Sequence, residues 1–280
     1  MNGRDLPGGV RSVQLAIDVL ETVAFSAEEL GVTQIAERLD ATKGSVHRHL
    51  QTLVDRGYLT QNSTTSRYAI GPKTRLLARH APEEDLVRLA EGPMRQLRDA
   101  TDQPIVMSEM TPRGVLVLTK LSASSPIEIG VRPGSELTFH ASAQGKVMLA
   151  FAPRELRSRV LARPLQRFTD KTITSPRKLE QELDQIVRLG YGSAPEEVAL
   201  GLNTVAAPIF NAQGKCVATV ALVGLIQSLP EKPRAYDVAQ LLDAARQISR
   251  KLGYSGGSNL LSAHRRTARR GRRPRQDSAT

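Results

Sequence analysis

Apolar residues along the first third of the chain recur at helical spacing. Val32, Ile35, Ala36 and Leu39 fall three and four residues apart, which gathers their side chains on one helix face. A break at Asp40-Ala41 follows, and Val46, Leu50, Leu53 and Val54 then repeat the pattern. Thr33 and Thr42 are the expected caps of these two helices, because a threonine hydroxyl accepts a first-turn backbone N–H. Gly57 stands where a left-handed helix end is wanted. Tyr58, Leu59, Tyr68 and Ile70 predict two short strands, and Asn62-Ser63-Thr64-Thr65-Ser66 is the polar tip between them. Upstream, Ser12 is the expected cap of a helix that turns Val13, Ala16, Ile17, Leu20 and Val23 inward. Gly71-Pro72 closes the hairpin, and a linker helix is expected over residues 73–82, its body ending before Pro82. A supporting helix, a helix pair with a tight turn, and a hairpin make a winged helix-turn-helix over residues 11–72.

Residues 83–255 change character. Leu86, Leu89, Ala90 and Leu97 predict a helix interrupted by Pro93. Strand patterns follow at Pro104–Met110, Val115–Leu121 and Ile127–Val131. Helices are expected at Ser142–Phe151, Pro153–Leu161 and Pro176–Leu189, then strands at Val205–Phe210 and Cys216–Val223 joined by the turn Asn211-Ala212-Gln213-Gly214. A last helix spans Tyr236–Leu252. Antiparallel strands with helices gathered around them make an α+β domain. No internal repeat is present.

The helix beginning at Thr42 leaves Thr42, Lys43, Gly44, Ser45, His47 and Arg48 on its outer face. Slim, donor-rich side chains at a helix's leading end suit a DNA major groove, whose base edges carry readable donors and acceptors. A helix pair that merely packs in a core also shows a polar outer face, but it has no use for a hairpin directly after it. Charge points the same way: Val32 to His80 holds eight Lys/Arg against three acids. Double-stranded DNA is the expected partner. Thr33, Thr42, Lys43, Ser45, His47 and Arg48 are its expected contacts, joined by Thr65 and Arg67 of the wing on phosphate or minor groove.

The net charge of +11 is uneven. Seven arginines and one aspartate lie between His264 and Thr280, whereas residues 81–263 carry twenty-two basic and nineteen acidic groups. Residues 256–280 are expected to be a disordered Arg-rich tail that binds polyanions without sequence preference, or a solubilising end with no specific task. Residues 1–10 are expected to be a flexible leader without the apolar segment of a signal peptide. No apolar run approaches the ~20 residues a bilayer needs, so no membrane partner is expected. The single cysteine, Cys216, excludes an internal disulfide or thiolate cluster and fits buried filler in a strand. A cytoplasmic location is expected.

Ser142 beside His140, or Cys216 with one of five histidines, is the only raw material for a nucleophile and base. The sequence holds no nucleophile elbow, phosphate loop, dinucleotide fingerprint or paired-His metal spacing. His47 and His49 are two apart and point in different directions on a helix. Catalytic residues, metals and cofactors are therefore not expected. The competing readings are a nonspecific nucleoid-type DNA protein without effector and, further behind, an enzyme processing a small acid.

Several motifs together resemble the IclR family of bacterial transcription regulators over nearly all of residues 11–253. In the first half they are Lys43-Gly44-Ser45-Val46-His47-Arg48, Leu53, Arg56-Gly57-Tyr58-Leu59 and Tyr68-Ala69-Ile70-Gly71-Pro72. In the second they are His140-Ala141-Ser142-Ala143-Gln144-Gly145-Lys146, Gly190-Tyr191 and Val205-Ala206-Ala207-Pro208-Ile209-Phe210. The resemblance implies a GAF-like effector-binding domain that takes a small organic or aromatic acid. It also implies dimers, or dimers of dimers, on an operator expected to be palindromic. A repressor is expected ahead of an activator, although both place the same helix in the same groove.

Helix chemistry supports an acid site. The loop from His140 turns into a helix near Ser142, and the first N–H groups of a helix lack partners and carry partial positive charge. A carboxylate can dock there without arginine, although a helix end capped by Ser142 alone fits the same residues. Positions matching the family's pocket are Ile129, Leu137, Ala143, Gln144, Thr204, Ala221 and Val223, each of which also suits ordinary core. The chain departs from the family by having Ala194-Pro195 where an acid is frequent, Thr204 where cysteine is common, and Ala221 and Val223 where small hydroxyl residues occur. A larger or more apolar acid, aromatic or alicyclic, is expected.

Overall fold

The computed structural model describes residues 10–79, 86–124 and 131–256. Its contacts divide the chain into two compact units between Asp85 and Leu86.

The first unit contains α1 (Arg11–Ala24), α2 (Val32–Leu39), α3 (Lys43–Asp55), the antiparallel pair β1 (Leu59–Gln61) and β2 (Tyr68–Ile70), and α4 (Pro72–Ala78). Val19, Val23, Ile35, Leu39, Val46, Leu50, Leu59 and Tyr68 form its core. Full burial of an aliphatic side chain of this kind is worth about 1.5–3 kcal/mol. α3 begins on the Thr42 hydroxyl, which accepts the Ser45 N–H at 3.3 Å. It ends in a Schellman closure: Tyr58 N–H bonds Leu53 O, Gly57 N–H bonds Val54 O, and Gly57 takes φ +76°.

Three local expectations change. α2 is capped at Gly31, whose N–H is held by Gln34 Oε1 at 3.0 Å, so Thr33 is its second helical residue. α1 starts after an extended Val10, and Ser12 makes no side-chain cap. The inner face of α1 centres on Val19 and Val23, while Val13 and Ile17 are 53% and 48% exposed. α4 begins one residue earlier than expected and is tied to the hairpin. Lys73 N–H bonds Gly57 O at 3.0 Å, and Thr74 Oγ1 donates to Tyr58 O at 2.9 Å. The expected extension of this helix to residue 82 lies outside the described residues.

The second unit contains α5 (Leu86–Thr101), β3 (Ile105–Met110), β4 (Val115–Leu121), β5 (Glu136–Leu137), α6 (Ala143–Ala150), α7 (Arg154–Leu161), α8 (Pro176–Leu189), β6 (Gly192–Ser193), β7 (Leu202–Phe210), β8 (Cys216–Leu225) and α9 (Ala235–Lys251). One antiparallel sheet has the order β5-β4-β3-β8-β7-β6. Strand alternation assigns its two faces. Ile105, Met107, Val205, Ala207, Val220 and Leu222 pack with Met94 and Leu97 of α5 and with Leu241 and Ile248 of α9. Ala206 and Ala221 face the other way, against Ala143 and Val147 of α6 and Leu183 and Ile186 of α8. The two-residue strands β5 and β6 are not anticipated by periodicity. The strand expected at Ile127–Val131 falls largely outside the described residues, and Val131 itself is not in a strand. No helix among the described residues is long and apolar enough to cross a membrane.

Candidate functional sites

α3 presents Thr42, Lys43, His47 and Arg48 to solvent and half-exposes Ser45, because Val46 and Leu50 bind the opposite face to the core. Thr33 is half-buried on α2. The wing is held by local bonds. Asn62 Oδ1 accepts the Thr64 and Thr65 N–H groups at 3.0 and 3.2 Å, and Asn62 N–H bonds Arg67 O at 2.8 Å. Arg67 Nη1 also donates to Glu29 O at 3.0 Å, anchoring the wing to the loop between α1 and α2. A guanidinium has five donors, of which this anchor uses one.

In the second unit α6 is buried at every residue from Ala143 to Ala150. Ser142 Oγ accepts the Gly145 N–H at 3.0 Å and donates to Thr138 O at 2.8 Å. A Cβ on Gly145 would lie 2.2 Å from Thr138 O, so glycine is what lets the helix start this close to the incoming chain. The Ser142 cap satisfies one of the orphan donors, and helix geometry leaves the N–H groups of Ala143 and Gln144 beyond it. The apolar positions expected beside them gather on the same side of the sheet. Leu137 packs against both the Ala143–Ala221 cluster and the Val106–Val117–Val223 cluster, and Thr204 is registered opposite Val223. Ile129 lies outside the described residues.

Residues that periodicity does not single out complete this region. Lys146 has no exposed surface; its ammonium bonds the Glu197 carboxylate and Ser193 O, with Glu182 at 3.7 Å. Burial pushes the Glu197 carboxyl up, and the adjacent Lys146 charge pulls it partly back. Ser108 and Thr219, opposite each other on β3 and β8, are fully buried, and their hydroxyls have no hydrogen-bond partner among the described residues. Their signal in the sequence is a polar residue interrupting each apolar strand.

The candidate nucleophiles are committed elsewhere or inert. His140 Nε2 sits 2.8 Å from Gln166 O, and burial holds this ring's pKa below its ordinary value. Cys216 is buried with its thiol pushed up to about 12 by desolvation. No group of three or more potential ligands among the described residues is placed to hold a metal ion.

A winged reading head joined to a separate α+β unit with a buried helix N-terminus defines a one-component regulator. Known proteins agree. The model of the IclR helix-turn-helix domain matches residues 12–63, and that of the bacterial transcriptional regulator IclR C-terminal region matches residues 79–250. The chain belongs to the IclR family of transcription regulators and is a DNA-binding regulator, not an enzyme. It is 32% identical to the HTH-type transcriptional regulator BhcR of Paracoccus denitrificans, over 88% of this chain and 89% of that protein. It is 30% identical to KdgR of Escherichia coli, over 89% and 95% respectively. Among solved structures, an IclR homologue from Microbacterium hydrocarbonoxydans complexed with 4-hydroxybenzoate gives a TM-score of 0.72 at 25% identity, covering 86% of this chain and 98% of that one.

Proposed function

We propose that this regulator is a repressor released from, or reset on, a palindromic operator by a monocarboxylic acid with an aromatic or alicyclic body. The observation that carries the effector reading is the α6 N-terminus: a buried helix end packed against an apolar face of the sheet. The carboxylate meets the Ala143 and Gln144 N–H groups. Leu137, Ala221 and Val223 enclose the apolar body, and Thr204 lies at the edge. The Microbacterium homologue, crystallised with an aromatic acid, supports this class. Operator contact is assigned to Thr33, Thr42, Lys43, Ser45, His47, Arg48, Thr65 and Arg67 within residues 11–72, and effector binding to residues 83–255. The exposed apolar stripe of α1, with Val13 and Ile17 beside Leu20 and Leu53, favours a two-fold contact with a second copy of the chain.

Selection of bound sequences from random DNA, followed by titration of acids into the complex, tests the proposal. A palindrome should be enriched. Benzoate or cyclohexanecarboxylate should then change operator affinity, through differential binding to two conformations. Failure to enrich any sequence would return the nonspecific nucleoid-type reading. Enrichment with no response to any acid would remove the effector.

A further inference from the structure

Two buried hydroxyls in the middle of the sheet find no hydrogen-bond partner among the described residues. Ser108 on β3 and Thr219 on β8 are registered directly opposite each other, and each has no exposed surface. Neither Ser108 Oγ nor Thr219 Oγ1 has a hydrogen-bond partner among the described residues. Their immediate neighbours decide which way they point. Met107 and Val220 belong to the cluster under α5 and α9, so alternation sends Ser108 and Thr219 to the opposite face, with Val106, Ala221 and Val223. That is the face α6 covers. Leaving a buried hydroxyl unbonded is costly, and buried polar side chains in native proteins are nearly always satisfied. Two orphans in register, each able to donate and to accept, form a receptor for a single oxygen placed between them.

We infer that the Ser108–Thr219 pair is the polar floor of the effector site and selects acids that carry a second oxygen, a hydroxyl or carbonyl, away from the carboxylate. This deepens the effector reading above and rests on it. It also changes the ligand expected from the apolar lining alone. Leu137, Ala221 and Val223 fit the body of a benzoate-like acid, but they offer nothing to Ser108 and Thr219. An unsubstituted acid leaves both hydroxyls unpaired. A hydroxylated or oxo acid satisfies them, a hydroxyl by donating to one and accepting from the other, a carbonyl by accepting from both. The hydroxyls stand on rigid central strands, which suits discrimination between close analogues better than a loop would.

Calorimetry on the full chain with benzoate, meta-hydroxybenzoate and para-hydroxybenzoate tests this. At least one hydroxylated acid should bind about tenfold tighter than benzoate, the gain expected from pairing an otherwise unsatisfied buried group. Thr219→Val and Ser108→Ala should each erase that preference, lowering affinity for the preferred hydroxybenzoate far more than any change in benzoate affinity. Both should hold or raise the melting temperature of the free chain, because each removes an orphan from the interior. Equal binding of all three acids by the wild type, or a preference that survives both substitutions, would overturn the proposal and leave the effector site standing; the hydroxyls would then be satisfied by buried water. Binding of none of the acids would overturn the effector reading itself, and this inference with it.

Discussion

Lys146 is a cation without solvent, and its environment is what makes that tolerable. Glu197, Glu182 and the Ser193 carbonyl converge on its ammonium. A buried pair adds little net stability against an apolar replacement, but breaking one is expensive, about 3–5 kcal/mol, because the survivor is stranded. Lys146→Met should therefore destabilise the chain by about that much, and Lys146→Met combined with Glu197→Leu should recover most of the loss. Denaturant unfolding of the three proteins checks this. His140 gives a pH signature. Burial is the largest cause lowering its pKa below 6.5, opposed by the Gln166 carbonyl and reinforced by Lys146. The folded state thus prefers the neutral ring. Its contribution is complete above pH 6.5 and is lost as pH falls through the lower folded value. Melting temperatures on either side of pH 6.5 should show a steeper acid-side fall for the wild type than for His140→Phe.

At the scale of elements, α3 is held to the core by Val46 and Leu50 and leaves Lys43, His47 and Arg48 exposed. A bidentate base contact is worth about 1–3 kcal/mol of discrimination, so Arg48→Ala should weaken operator binding and relax sequence choice at one position. Arg67→Ala should lower affinity evenly across sequences and reduce the salt slope, with an added loss from freeing the wing from Glu29. Anisotropy titrations on operator and scrambled DNA separate the two. These elements were legible because their signals are local. The Thr42 and Ser142 hydroxyls cap the helices expected of them, and Gly57 supplies the left-handed residue. Thr33 and Ser12 misled because several neighbouring residues can adopt the extended cap conformation, and docking chooses among them. The apolar stripe of α1 wraps too far round for periodicity to say which part turns inward. β5 and β6, at two residues each, are too short to show any period. Lys146 and Glu197 lie 51 residues apart, a pairing that no local pattern encodes. Ser108 and Thr219 were visible as polar residues, but only the register of β3 on β8 reveals that they face each other, without partners among the described residues.

For the whole molecule, positive charge is concentrated at the C-terminal end. The seven arginines after Ala263 lie outside the described residues, while residues 81–263 are close to balanced. Truncation after Ala263 should lower affinity for scrambled DNA more than it lowers preference for the operator. The salt slope should flatten by roughly 0.9 for each phosphate that is no longer neutralised. A truncated protein with an unchanged slope on scrambled DNA would show that the arginines do not touch the backbone. The division at Asp85 and Leu86 separates the helix-turn-helix unit from the unit that the IclR C-terminal model matches, which is why the sequence patterns of the two could be read independently.

Cys216 offers a use that has nothing to do with chemistry in the cell. It is the only thiol in the chain, it is sealed against Met148 of α6 at 3.6 Å, and its pKa of about 12 leaves almost no thiolate at neutral pH. An alkylating reagent can modify it only during excursions in which α6 lifts from β8. The labelling rate is thus a clock for the opening of the second unit, with no foreign probe introduced. A bound effector would slow that clock in proportion to its occupancy, so a single mass measurement can rank candidate acids.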